Sequence, residues 1–209
     1  EMYHCDAEHV YAVTLSAELS GSYNSAELGK NLYKEEYGEK QIHVFNSKSA
    51  SVGETLIALK IAECEEKQMS FEEIIKTVDA YIEEQHTYFV LETLETLKKN
   101  GRLTGIKAMM ATSLNIKPVM GSTPIGSICQ LGQGRGMKKA IEKMVAQVKK
   151  DAIRPEEKIL AIAHCNCPER AEDMKKMVQE QMKVKDIIVL DTAGISSMYA
   201  ADGGVILVV

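Results

Sequence analysis

Hydrophobic positions along this chain follow two alternating rhythms. Residues 10–15 (VYAVTL) form a short apolar run that stops at a cluster of Ser and Gly. Beyond it, Tyr23, Ala26, Leu32, Tyr33 and Tyr37 fall on a pattern that predicts a helix over 21–37. Residues 41–45 (QIHVF) predict a second strand, and Leu56, Leu59, Ile61 and Ala62 predict a helix over 53–67. Ser70, Phe71, Glu72 and Glu73 read as a capping box, in which Ser70 serves the N3 amide and Glu73 reaches back. The helix it opens should bury Ile74, Ile75, Val78, Tyr81 and Ile82. Strands alternating with helices predict an α/β unit with a parallel sheet.

The pattern changes near Thr87. Residues 88–91 predict a short strand and 93–99 a short helix, with Asn100-Gly101 as its stop. A further apolar helix is expected over 106–114, then a strand over 116–120. Residues 121–134 are rich in Gly and Ser and suggest a hairpin. A helix over 137–150 should turn Ile141, Met144, Val145 and Val148 inward. A strand over 158–163, a helix over 168–182 with Pro168 in its first turn, and a strand over 187–190 follow. The closing GVILVV reads as a buried strand. A boundary near His86 divides the chain into an N-terminal α/β domain, 1–86, with a mainly parallel sheet, and a C-terminal α/β domain, 87–209, with a mixed sheet.

Composition narrows the functional classes. The chain has 209 residues, 45% hydrophobic and 26% charged, which is ordinary for a globular protein. Its net charge of −5, with no basic stripe, argues against a nucleic-acid partner and against adsorption to anionic lipid. No apolar stretch reaches the length of a membrane span, so no stable membrane insertion is expected. Five Cys without framework spacing suit a reducing cytoplasm. There are 11 Met against three Phe and no Trp, and thioethers are adaptable fillers of apolar space, in a core or around a ligand.

The most concentrated chemistry is Ser20-Gly21-Ser22, between the first strand and the first helix. Hydroxyls and a permissive glycine at a helix N-terminus can hold an anion; they can equally be an N-capping Ser beside a turn. Arg102, just past a helix end, has a planar charged fork suited to a carboxylate or phosphate, and also suits an ordinary surface site. His164-Cys165-Asn166-Cys167 lacks a second ligand pair and reads as a strand–helix loop, so no metal site is expected. Residues 132–136 (GQGRG) fit neither a dinucleotide nor a Walker pattern and read as a hairpin end feeding a helix. No G-x-S-x-G word is present. Met109, Met110, Leu114, Ile116, Val119 and Met120 form a dense apolar segment, core or tail slot.

Taken together, two words resemble the DegV family of bacterial fatty-acid-binding proteins: residues 14–26 (TLSAELSGSYNSA) and 89–103 (FVLETLETLKKNGRL). Asn115-Ile116-Lys117-Pro118-Val119 and Arg135 ahead of Lys138-Lys139-Ala140 continue the match, which covers nearly the whole chain. The resemblance implies a two-domain fold of the DegV/EDD type with a long acyl chain buried between or within the domains. It implies Ser20, with Gly21 and Ser22, at the fatty-acid carboxylate, and Arg102 near the head group. It also implies Arg135 as a docking residue for an ATP-dependent fatty-acid kinase subunit, which phosphorylates the presented carboxylate. Met110 and Ile116 are expected along the tail. On this reading the chain is no enzyme and needs no cofactor beyond the bound fatty acid. The family's N-terminal segment, with its Thr-containing carboxylate loop, has no counterpart ahead of Glu1. Where many members carry a Gly-x-His-x-Gly-Pro-Gly word, residues 196–204 place Tyr199, a hydrogen-bond donor without positive charge. The alternative is an enzyme of acyl or phosphoryl transfer built on the Ser20-Gly21-Ser22 loop.

Overall fold

The computed structural model describes residues 3–103 and 115–209. Two sheets carry the fold. In the smaller, β1 (His9–Thr14) runs parallel to β2 (Gln41–Asn46), and α1 (Ser22–Tyr37) connects them. Two helices follow, α2 (Val52–Glu66) and α3 (Phe71–Glu83). Then come β3 (Thr87–Val90), a short α4 (Glu95–Lys99), and the hairpin of β4 (Ile116–Ser122) and β5 (Ile128–Arg135). The chain continues through α5 (Gly136–Asp151), β6 (Ile159–His164) and α6 (Pro168–Gln181). It ends in β7 (Asp186–Asp191), α7 (Gly194–Ala200) and β8 (Val205–Val208). The larger sheet has the order β5-β4-β3-β8-β6-β7 and is mixed, since only β6 and β7 pair in parallel.

The predicted elements stand where the hydrophobic rhythms put them, within a residue or two. The capping box is complete: the Ser70 hydroxyl accepts from the Glu73 amide while the Glu73 carboxylate accepts from the Ser70 N–H. Ile74, Val78 and Ile82, spaced by four, are buried against Phe45, Ile57 and Ile61. The helix expected over 106–114 lies outside the described residues.

Strand alternation decides what each face of the larger sheet meets. In β6, Leu160 and Ile162 join Tyr88, Val90, Leu207 and the inner faces of α5 and α6 in the main core. Ala161 and Ala163 point to the other face, where their small side chains let Val52 and Leu56 of α2 pack closely. The helix thus ties the two sheets together. Within the larger sheet, the backbone bonds between His86 and Val209 extend the β3–β8 ladder by one rung.

Helix α1 buries none of its residues. Leu32 and Tyr37, two of the positions on which the helix is predicted, are 54% and 55% exposed; α1 packs on β1 and β2, with Tyr3 and His4 also against it. Residues 132–136 are a hairpin end feeding a helix, as expected: Gly132 and Gly134 belong to β5, which runs directly into α5. The glycine at 134 is there for space: a Cβ would stand 2.3 Å from the Ala140 backbone nitrogen and 2.6 Å from its Cα. Gly134→Ala is therefore expected to destabilise the fold by about 1–3 kcal/mol, because the clash is with backbone. At Gly132 a Cβ meets nothing within 4 Å, and Gly132→Ala should stay within about 0.5 kcal/mol. Denaturant unfolding of the two variants checks the contrast.

Candidate functional site

A cavity of about 140 Å³ lies on the face of the larger sheet opposite α5 and α6. Its floor is the second set of alternating side chains, Phe89 of β3, Ile128 of β5 and Ile206 of β8, and Gly121 of β4 also lines it. One side is closed by Leu91, Leu97, Tyr199 and Ala200, a small cluster in which α4 and α7 meet. The other side consists of two loops, 15–20 after β1 and 47–51 after β2, both of which reach the cavity. These loops leave the carboxyl ends of parallel strands, the edge where α/β sheets commonly receive ligands.

Buried polar contacts fix the loops. The Asn46 side-chain oxygen accepts from the Ala17 and Lys48 amides, and the Ser16 amide donates to the Ser49 carbonyl. Ser16, fully buried, donates its hydroxyl to the Gly126 carbonyl at 2.9 Å. Ser127 beside it donates to the Glu18 carboxylate at 3.1 Å. The tip of the β4–β5 hairpin is thereby fastened across the first loop.

Ser20 lines the cavity. It does not cap α1; the cap position is Gly21, with no side-chain cap bond. Its oxygen accepts the Ser22 amide hydrogen at 3.2 Å. Its own O–H has no acceptor among the described residues, so the hydrogen is available to a group in the cavity. No histidine or carboxylate among the described residues is hydrogen-bonded to Ser20. Gly21 and Ser22 do not line the cavity, and the Ser22 hydroxyl is buried with no partner among the described residues. Arg102 reaches the same wall, with Nε donating to the Leu19 carbonyl at 3.1 Å and Nη1 to the Asn100 carbonyl. A guanidinium has five N–H groups, so further Arg102 donors have no acceptor among the described residues. Tyr199 lines the wall formed by α7.

Three other sequence candidates fall elsewhere or cannot be placed. Met110 lies outside the described residues. Ile116 is not among the residues that line this cavity. Ile116 pairs with Arg135 at one end of the hairpin, whereas Gly121, Ser122 and Ile128 at the other end form the wall. Ser122 lies six residues along β4 from Ile116, about 20 Å. Val119 is core, packed with Tyr88 and Met144. Arg135 is exposed at the N-terminus of α5 and is likewise no part of the cavity.

Sequence reasoning missed the 47–51 loop. Lys48, Ser49, Ala50 and Ser51 all line the cavity. The signal was present as a polar break, SKSAS, between an apolar strand and an apolar helix, a smaller copy of the break after β1. Lys48 and Ser51 sit at positive φ, 50° and 60°, sparsely populated for such residues and a mark of a loop shaped by its surroundings.

Comparison with known proteins is consistent with this geometry. The family model for DegV, described as uncharacterised proteins, matches residues 1–208. The chain belongs to the DegV family. A DegV domain-containing protein of Streptococcus pneumoniae is 31% identical over 201 residues, 96% of this chain and 71% of that protein. A DegV-family protein of Ruminococcus gnavus, whose crystal structure holds vaccenic acid, is 66% identical with a TM-score of 0.97 over 99% of this chain and 74% of that one. The Streptococcus pneumoniae fatty acid kinase B3 protein, loaded with linoleic acid, is 31% identical with a TM-score of 0.87 over 97% and 72%. The two sheets, one small and parallel and one larger and mixed, are the DegV architecture in this chain. No helix among the described residues is long and apolar enough to cross a membrane, and no group of three or more His, Cys, Asp or Glu among them could hold a metal ion.

Near the second loop, burial pushes the Glu54 carboxyl up to about 7, with a hydrogen bond from the Ser51 backbone opposing it. The folded state then holds this proton more tightly than the unfolded state does. Stability from this group is complete below its unfolded value near 4.5 and is lost as pH rises through about 7. Glu54→Gln should remove that loss. After allowance for solvent screening, the variant should gain about 1–2 kcal/mol relative to the parent between pH 5 and pH 8. Urea unfolding at the two pH values measures it.

Proposed function

We propose that this chain binds one long-chain fatty acid in the cavity and presents its carboxylate to an ATP-dependent kinase subunit, or carries the acid elsewhere. The observation that carries the reading is the asymmetry of the cavity. Its floor and one side are apolar, while Ser20, with an O–H that has no acceptor among the described residues, and Arg102, with N–H groups that have none among them, both line it. A buried carboxylate is costly unless hydrogen bonds or an opposite charge meet it, and these two groups supply both. The tail contributes about 0.8 kcal/mol for each CH₂ taken from water. The fatty acids held by the Ruminococcus gnavus protein and the kinase B3 protein support the same reading. Tyr199 stands on the wall at the family's His position and donates without adding charge. Catalysis, on this reading, belongs to the partner. The proposed division at His86 gives each sheet to one domain, with the cavity between them and α2 bridging.

Titration of hexadecanoic acid by displacement of a fluorescent fatty acid tests the binding. Saturable one-site binding is expected, and Ser20→Ala should weaken it by roughly 1.5–3 kcal/mol, the worth of a hydrogen bond to a charged acceptor. An unchanged dissociation constant in Ser20→Ala, with an unchanged melting temperature, removes Ser20 from the head-group site.

The two arginines separate binding from presentation. Arg135 is exposed on the rigid start of α5, where an arginine makes a good interface anchor. Arg135→Ala should leave fatty-acid affinity intact and lower phosphorylation of the bound acid by a cognate kinase. Arg102→Ala should lower affinity first. The opposite pattern in paired binding and kinase assays overturns both assignments.

A further inference from the structure

The cavity contains a second polar spot that the carboxylate reading does not use. Ser49, Thr87 and Ser122 line it from three different segments: the loop after β2, the start of β3 and the end of β4. The Ser49 and Thr87 hydroxyls share a hydrogen bond of 2.6 Å, and the Thr87 amide donates to the Ser122 oxygen at 3.2 Å. Ser49 and Thr87 are themselves 3% and 7% exposed, so this is wall and not solvent-facing rim.

Behind Ser49 stands the carboxamide of Gln85. Its nitrogen and its oxygen are both buried, and neither has a partner among the described residues. The amide nitrogen and the Ser49 oxygen are close neighbours: a Cβ placed on Gly53 would lie 3.0 Å from the first and 1.9 Å from the second. Buried polar groups in folded proteins are almost always paired, and one that is not calls for a partner supplied from elsewhere. The hydrogen inventory points the same way. Ser49 and Thr87 share one hydrogen, and a second can go to the Ala50 carbonyl at 3.5 Å. The Ser122 hydroxyl accepts from Thr87 and has no acceptor for its own hydrogen among the described residues. The Gln85 amide hydrogens have no acceptor among the described residues. The cluster therefore has donors to spare, one spare acceptor in the Gln85 carboxamide oxygen, and no charge. What it fits is one uncharged oxygen, which accepts from Ser122 while Ser49 is free to turn between Thr87 and Gln85.

We propose that the Ser49–Thr87–Ser122 wall, backed by Gln85, is a specificity element that accepts fatty acids bearing a hydroxyl or keto oxygen on the acyl chain. This rests on the fatty-acid reading of the cavity and goes beyond it in naming the substrate class. An all-apolar wall rejects such an acid, because the substituent loses its hydrogen bonds to water on entry. A wall with a waiting donor restores one of them. The same oxygen could come from an ordered water above a plain acyl chain, and in that case a substituted chain gains nothing.

The test is a displacement titration with hexadecanoic acid and its series of monohydroxylated positional isomers, on the whole chain. At one hydroxyl position or a short run of positions, affinity should be within threefold of the parent acid or better. At the other positions it should fall by tenfold or more. Thr87→Val and Ser122→Ala should each weaken the favoured hydroxy acid at least fivefold more than they weaken hexadecanoic acid, with melting curves run on every variant. Gln85→Leu, which leaves the wall itself intact, should act in the same direction. If every isomer binds tenfold or more weakly than the parent, or if the variants weaken both acids alike, the wall is not a specificity element and water is its occupant. If hexadecanoic acid itself does not bind to a folded protein, the fatty-acid reading falls, a result distinct from either of these.

Discussion

Everything at the site depends on the alternation of side chains across β3, β8 and β6. Tyr88, Val90, Leu207, Leu160 and Ile162 turn one way and are sealed by α5 and α6. Their neighbours in sequence turn the other way, where helix α2 covers only part of the sheet, over Ala161, Ala163 and Val208. The remainder of that face, under Phe89 and Ile206, is left to the loops after β1 and β2 and to α4 and α7. A sheet face that is apolar but covered by loops and short helices, and not by a long helix, leaves room for a ligand. Strand period and helix placement thus create the cavity before any functional side chain enters.

The loops that cover it are polar for a structural reason as well as a chemical one. Each leaves a parallel strand and must satisfy its own backbone away from bulk water. Asn46, Ser16 and Ser49 do this by bonding one loop to the other and to the hairpin tip. Ser20 and Ser122 differ from these in that each keeps a hydrogen with no acceptor among the described residues. The distinction between serines that hold the loops and serines that face the cavity with a donor left over is a matter of hydrogen-bond accounting, not of residue type.

That distinction explains how much could be read from the sequence. The elements were legible because strands and helices differ in period, and β6 even shows its two faces in the order Leu, Ala, Ile, Ala. Ser20 and Arg102 were legible because both lie in specific family words, and both line the cavity. The wall residues of the 47–51 loop were not, since SKSAS has the composition of any turn. Nor was the end of β4 that serves the site. Ile116 carries the stronger apolar signal, yet the cavity lies at Gly121 and Ser122, and only the pairing of β4 with β5 decides which end that is. The glycines of residues 132–136 invited a phosphate-loop comparison. Of these, Gly134 is set by the close approach of α5 to β5.

The central claim is that the cavity over this sheet face holds a single fatty acid. Native mass spectrometry of the protein as purified from a bacterial host tests it most directly. The account predicts a bound species with a mass excess equal to one long-chain fatty acid, released on denaturation and reduced in occupancy when Ser20 is replaced by Ala. Repeated spectra of folded protein with no such adduct, even after incubation with hexadecanoic acid, would contradict it.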